Sequence, residues 1–265
     1  MTGTEPAVSR IDTTRPHPAR VYDWFLGGKD NYPVDEELGR RIMAIDEGAV
    51  RAARANRAFM QRATRALAED GVRQFLDIGT GIPTEPNLHQ IAQSVAPDAR
   101  VVYVDNDPIV LAHAGALLRG TPEGVTEYVQ ADARDPRAIL EQAAAVLDFG
   151  RPVALSLIAL LHFVADEDGA HELVSTLVDA LAPGSRLVLS MMTADFEPEN
   201  VEKGIAAYAA GGVTLVARSR DEVAAFFAGL DLLEPGVVPV DAWRSAQAPD
   251  GPAPVSLYGA VGRKP

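Results

Sequence analysis

The chain contains no cysteine among its 265 residues, which excludes a disulfide framework, a thiolate zinc site and a cysteine nucleophile. Metal chemistry would have to rest on His and carboxylates alone, and no metal site is expected. Cations are also in short supply: 24 Lys and Arg stand against 37 Asp and Glu, a formal net charge of -13. Binding to a phosphate backbone rests on clustered cations, so nucleic acid is not the expected partner. An acidic field mildly favours cationic ligands instead. No apolar run reaches the roughly 18 to 20 residues that span a bilayer. The first 15 residues lack the apolar core of a secretory signal. A cytoplasmic protein without a membrane role is the expectation.

What is present is enough apolar sequence, 47%, to build a sizeable core. Residues 1–15 read as a loose arm, followed by three helices. The first runs near Pro18 to Leu26 and stops at Gly27-Gly28, the second opens at Pro33, and the third runs about Ala49 to Asp70. From Gln74 the texture changes to short apolar runs separated by helical segments, the pattern of a parallel sheet covered on both faces. Seven strands are expected: Gln74 to Ile78, Arg100 to Asp105, Val125 to Gln130, Val153 to Leu157, Ser185 to Met191, a weak one near Leu232 to Val238, and Val255 to Val261. Helices are expected between the first five, at Asn87 to Val95, Pro108 to Leu118, Pro136 to Val146 and Asp168 to Ala180. Ser219 and Glu222 form a capping box for a further helix ending at Gly229. Only Ala194 to Gly212 interrupts the alternation. The fold class is therefore α/β: a Rossmann-like, seven-stranded, mostly parallel sheet with helices on both faces. Residues 1–70 would be an arm and helical N-terminal cap over the site, and 71–265 the core.

The strand Gln74 to Ile78 runs into Gly79-Thr80-Gly81-Ile82-Pro83-Thr84. A Gly-rich turn at the carboxyl end of the first strand lets a ligand approach the backbone where a β-carbon would obstruct it. The dinucleotide fingerprint wants a third Gly where Thr84 stands, so a nicotinamide cofactor is the runner-up. Asp77, two residues before Gly79, can accept hydrogen bonds from an ammonium group or an ordered water, and would repel a pyrophosphate. The plainer alternative is a tight turn with its own Asp. About two dozen residues further on, Val104-Asp105-Asn106-Asp107 offers a carboxylate, Asp105, for the two hydroxyls of a ribose, with Asn106 beside it. Asp107 can instead cap the helix that begins at Pro108. Asp132, next to Ala133 after the third strand, can accept an adenine amino group or simply close a loop.

The series Leu76-Asp77-Ile78-Gly79-Thr80-Gly81, Val104-Asp105, Ala131-Asp132-Ala133 and Leu181-Ala182-Pro183-Gly184-Ser185-Arg186-Leu187-Val188 resembles the ordered motif set of class I S-adenosylmethionine methyltransferases. The resemblance implies a sheet whose last strand is antiparallel, with Asp105 on the ribose and Asp132 near the adenine. It also places the Gly79 to Gly81 turn along the methionine portion. The N-terminal Arg20-Val21-Tyr22-Asp23-Trp24-Phe25-Leu26-Gly27-Gly28-Lys29-Asp30-Asn31, with Asn56-Arg57-Ala58-Phe59, is similar to an uncharacterised bacterial family of such methyltransferases. That family names a cofactor, S-adenosyl-L-methionine, and no acceptor. One departure is Ser190-Met191-Met192, where relatives commonly carry a His after the Ser.

Methyl transfer from a sulfonium asks the protein to align a nucleophile and exclude water. No triad or metal is needed. His162, in Leu160-Leu161-His162-Phe163 after the fourth strand, is the candidate catalytic base, or else a packed core histidine. The stretch from Gly27 to Tyr32 can fold over the cofactor as a lid, with Lys29 or Asn31 meeting the methionine carboxylate and Tyr22 packing on the ligand. Arg57 competes for that carboxylate, and the alternative for the whole stretch is a helix C-cap with a surface turn. The expected activity is methyl transfer to a small molecule. The rivals are a regulatory protein that binds S-adenosylmethionine without transfer, and a nicotinamide-dependent oxidoreductase. The Arg51, Arg54, Arg57, Arg62 and Arg65 series offers either a cationic groove for nucleic acid or a solvated helix face.

Overall fold

A computed structural model describes residues 12–110, 120–246 and 253–265. Three helices open the described chain: α1 (Pro18–Phe25), α2 (Pro33–Ile45) and α3 (Ala49–Glu69). Pro stands in the first turn of α1 and α2, where its missing N–H costs nothing. The core then alternates β1 (Gln74–Ile78), α4 (Leu88–Val95), β2 (Arg100–Asp105), β3 (Val125–Gln130), α5 (Pro136–Ala143), β4 (Ala154–Ile158), α6 (Ala170–Asp179) and β5 (Arg186–Met192). The helix expected from Pro108 is present at residues 108–110, and its remainder lies outside the described residues, as does most of the Pro-rich loop before the last strand.

The strands are ordered β3-β2-β1-β4-β5 in parallel, and β8 (Leu257–Arg263) joins β5 antiparallel. The single weak strand expected near Leu232 to Val238 is instead two, β6 (Asp231–Leu232) and β7 (Val238–Pro239), both antiparallel to β8. Gly236 at φ 80° turns the chain between them. Among the described residues the sheet thus has eight strands.

Alternate residues of each strand face opposite sides, and the core divides accordingly. Leu76, Ile78, Val102, Val104, Leu155 and Leu189 pack on one side against Ile139 of α5 and Leu173 and Leu177 of α6. Phe75, Val101, Tyr103 and Val188 pack on the other against α3 and α4 through Phe59, Leu67, Leu88 and Ile91. The segment that breaks the alternation forms α7 (Pro198–Ala210). A third apolar cluster joins it to α1 and α2 through Val21, Phe25, Leu38, Ile42, Ala207 and Tyr208. The Ser219 capping box is formed, and α8 (Arg220–Ala225) ends before the expected Gly229.

Candidate functional site

The carboxyl ends of β1, β2 and β4 open onto a cavity of about 460 Å³. In an open parallel sheet this is where the strand order reverses and a ligand crevice forms. Its floor is the turn after β1. Gly79 and Gly81 have φ of 75° and 66°, the left-handed region that costs other residues energy. A β-carbon at Gly79 would lie 2.7 Å from Leu160 Cδ1. The turn is tied to the neighbouring strand: Gly79 and Thr80 donate their N–H groups to Val104 O, at 2.8 and 3.2 Å. Gly81 donates to Asp105 Oδ2 at 2.7 Å.

Asp105 also accepts from the Asp107 N–H through Oδ1 at 2.9 Å, so each oxygen holds one backbone donor and keeps a lone pair for a hydroxyl. Burial raises its pKa, opposed by those two N–H groups. Asp107 does what a cap does, accepting from Ile109 N at 3.0 Å, and it is not among the residues lining the cavity. Its other oxygen faces His17 Nδ1 at 3.1 Å and Arg20 Nε at 3.5 Å. Asn106 lines the cavity beside Asp105. Asp132 and Ala133 line it too, while Asp132 Oδ1 closes its own loop by accepting from Arg134 N at 2.9 Å.

Asp77 is buried at the cavity wall, and desolvation pushes its carboxyl up to about 7 against the pull of Arg57 and the Thr80 side chain. Thr80 Oγ1 donates to Asp77 O at 3.0 Å. Arg57 lines the cavity but spends its Nη2 on the carbonyls of Thr84 and Pro86. It clamps the far side of the glycine turn and supplies charge to Asp77.

The N-terminal helices complete the wall through His17, Ala19, Tyr22 and Phe25 of the α1 region and Asn56 and Met60 of α3. Tyr22 donates to Ala53 O at 2.9 Å and accepts from Asn56 Nδ2 at 3.0 Å. Asn56 Oδ1 accepts from Ser190 Oγ at 2.6 Å, and Ser190 accepts from the Ala159 N–H at 2.9 Å. This buried chain ties α1 and α3 to the ends of β4 and β5, and it fixes Ala159 at φ 53° beside the cavity. Lys29 and Asn31 do not line the cavity. Lys29 is exposed, and Asn31 donates to Asp23 Oδ2 at 2.8 Å and to Gly28 O at 3.1 Å. Asp30 N donates to the same Asp23 oxygen, so the Gly27 to Tyr32 stretch is a turn gathered around one carboxylate.

His162 stands in the cavity wall, 5% exposed, with Nδ1 buried and lacking a hydrogen-bond partner. Burial and the Arg218 guanidinium lower its pKa to about 3. Arg218, itself buried, donates to the carbonyls of Leu161 and Val164 on either side, holding the His162 turn in place. The ring is therefore neutral and a weak base. Sequence reasoning quoted Asn56 and Phe163 without giving either a role and missed His17, Tyr208 and Asp46, all of which line the cavity. Only Asn56 carried a signal, its place next to Arg57 in the N-terminal family motif.

A family model described as S-adenosyl methyltransferase matches residues 4–265. The chain belongs to this family. Its cofactor is S-adenosylmethionine, and it is an S-adenosylmethionine-dependent methyltransferase by family membership. Two solved structures are similar over almost the whole length. One is a DUF574 family protein from Streptomyces avermitilis MA-4680, 50% identical, covering 97% of this chain and 100% of that one with a TM-score of 0.93. The other is a candidate methyltransferase from Thermobifida fusca YX, 38% identical, covering 98% and 97% with a TM-score of 0.88. A methyltransferase from Anabaena variabilis ATCC 29413 shares the fold, at 16% identity over 72% of this chain and 77% of its own, TM-score 0.50. No functionally curated protein matches the chain. Among the described residues no helix is long and apolar enough to cross a membrane.

Proposed function

We propose that the methyltransferase transfers its methyl group to a small molecule bound in the apolar part of the same cavity. The observation that carries this reading is that one cavity has two unlike stretches of lining, taken here as two lobes. The lobe over the sheet is polar, formed by Asp77, the Gly79 to Gly81 turn, Asp105, Asn106 and Asp132. The other lies under the N-terminal helices and α7, walled by Phe25, Ile42, Ile45, Phe163, Val213 and Leu215. A concave apolar wall with few polar groups suits a small organic ligand.

In the polar lobe Asp105 accepts the ribose hydroxyls, Asp132 and Ala133 bound the adenine, and the glycine turn lies along the methionine portion. Asp77 meets the methionine ammonium directly or through water. Tyr22 and Asn56 act by holding the wall, and Arg57 by charge. The bound cofactor supplies an electrophilic methyl on a sulfonium whose departure leaves a neutral thioether. The protein's own part is alignment, exclusion of water and acceptance of a hydrogen bond from the acceptor at His162. Residues 17–70 serve as the cap, through α1 and the first half of α3.

The arginine series on α3 supports a small acceptor rather than a polynucleotide. Arg51, Arg57 and Arg62 donate to carbonyls of their own chain, at Ala253, at Thr84 and Pro86, and at Val240 and Trp243. The test is transfer of labelled methyl from S-adenosylmethionine to a cell extract divided by ultrafiltration at about 1 kDa. Label is expected in the filtrate. Label confined to protein or nucleic acid would overturn the small-molecule reading, and no label anywhere with intact cofactor binding would favour a sensor.

A further inference from the structure

The apolar lobe contains a row of three rings. His162 and Phe163 have centroids 4.4 Å apart, and Phe163 and Tyr208 are 6.4 Å apart. All three residues line the cavity. The row is assembled from two places: the turn after β4 carries His162 and Phe163, and α7, the helix inserted into the β/α alternation, carries Tyr208. Tyr208 is 9% exposed, and its hydroxyl has no hydrogen-bond partner among the described residues. A hydroxyl without a partner in the fold, on a residue that lines the cavity, is free to bond a ligand there. At the other end of the row the His162 ring lines the cavity, with its Nδ1 buried and unpaired behind it.

Resting on the reading that the apolar lobe takes the acceptor, we infer that Tyr208 orients it and that the acceptor is an uncharged, planar aromatic molecule carrying a hydroxyl group. Planarity follows from the ring row, because aromatic pairs in offset or edge contact gain more than their buried area alone. The hydroxyl follows from the unpaired Tyr208 hydroxyl, which a phenolic O–H can donate to or accept from. Burial raises the Tyr208 pKa and lowers that of His162, so both stay neutral and neither offers an ion pair. The lobe's carboxylate, Asp46, already accepts from Gly48 N at 2.7 Å, and burial raises its pKa, which disfavours a cationic acceptor.

Four probes test this on protein saturated with S-adenosylhomocysteine: 2-naphthol, naphthalene, decahydro-2-naphthol and 2-naphthylmethylamine. 2-Naphthol should bind at least fivefold more tightly than each of the others. Tyr208→Phe should reduce 2-naphthol to the affinity of naphthalene while leaving naphthalene binding and thermal stability unchanged, because the lost hydroxyl has no partner in the fold. Equal binding of 2-naphthol to the wild type and Tyr208→Phe, or no binding to either, would overturn the role of Tyr208. Equal binding of decahydro-2-naphthol would overturn the aromatic requirement, and tighter binding of the amine would assign the lobe to Asp46 and a cationic acceptor. S-adenosylhomocysteine affinity, measured on the same samples, separates the readings: its loss faults the cofactor lobe, whereas its retention with a failed probe series faults this inference alone.

Discussion

Asp105 Oδ2 accepts the Gly81 N–H at 2.7 Å, so the carboxylate at the end of β2 fixes the glycine turn at the end of β1. One side chain therefore has two duties. It shapes the glycine turn, and on the proposed function its remaining lone pairs are the acceptors for the ribose. A substitution there should do more harm than the loss of two ligand contacts.

Asp77 makes the site sensitive to pH in a definite direction. Its carboxyl is pushed up to about 7 from 3.8 by burial. Between those values the folded protein keeps a proton that the unfolded chain has released, so stability falls as pH rises through this window and levels off above 7. Asp77→Asn should flatten the fall and stabilise the unliganded protein at pH 8 by a few kcal/mol. Urea unfolding at pH 5, 6, 7 and 8 checks it. Identical slopes for both proteins would contradict the assignment.

The same group should couple cofactor binding to protons. An ammonium beside Asp77 favours the ionised carboxylate, so affinity for S-adenosylhomocysteine should rise from pH 5.5 to about 7 in the wild type and be flatter in Asp77→Asn. Calorimetry in buffers of different ionisation enthalpy should register proton release at pH 6. A pH-independent affinity in the wild type would place the ammonium away from Asp77.

Asn56 is 1% exposed and joins Tyr22 to Ser190. Asn56→Ala would leave the Ser190 hydroxyl without an acceptor in the core, so a loss of about 2 to 4 kcal/mol is expected by denaturant unfolding. Ser190→Ala removes the donor to Asn56 and the acceptor of the Ala159 N–H together, so a comparable loss of about 2 to 4 kcal/mol is expected. Equal small losses would show that the chain of hydrogen bonds does not act as a unit.

Much of the fold was legible because its signals are local. The bounds of β1, β2 and β3 follow from their short strand-like runs, and the Ser219 cap from residue types three apart. The weak strand divided because Gly236 needs a turn that run length does not reveal. The glycine turn and the two carboxylates at strand ends were legible for the same local reason. Phe163 and Tyr208 were not: they are 45 positions apart in the numbering and meet only because α7 folds back over the end of β5. Lys29 and Asn31 lie outside the cavity wall, and paired glycines followed by polar residues suit a surface turn as well as a lid. The Asp23 carboxylate that gathers this turn comes from the preceding helix.

The closing element is accordingly expected in α1 rather than in the Gly27 to Tyr32 turn. Hydrogen exchange with and without S-adenosylhomocysteine should show added protection at the Gly79 to Gly81 turn and in His17 to Phe25, with little change at 27–32. Protection at 27–32 without change in α1 would restore the lid reading of that turn.

The central claim is that the Asp105-pinned glycine turn is the cofactor site, and calorimetric titration of S-adenosylhomocysteine and NAD into the wild type and Asp105→Ala tests it most directly. Hydrogen bonds to a carboxylate contribute roughly 1.5 to 3 kcal/mol each. S-adenosylhomocysteine should therefore bind the wild type and lose at least tenfold in affinity for Asp105→Ala, while NAD binds neither. An unchanged affinity in folded Asp105→Ala, or NAD binding in place of S-adenosylhomocysteine, would contradict the account.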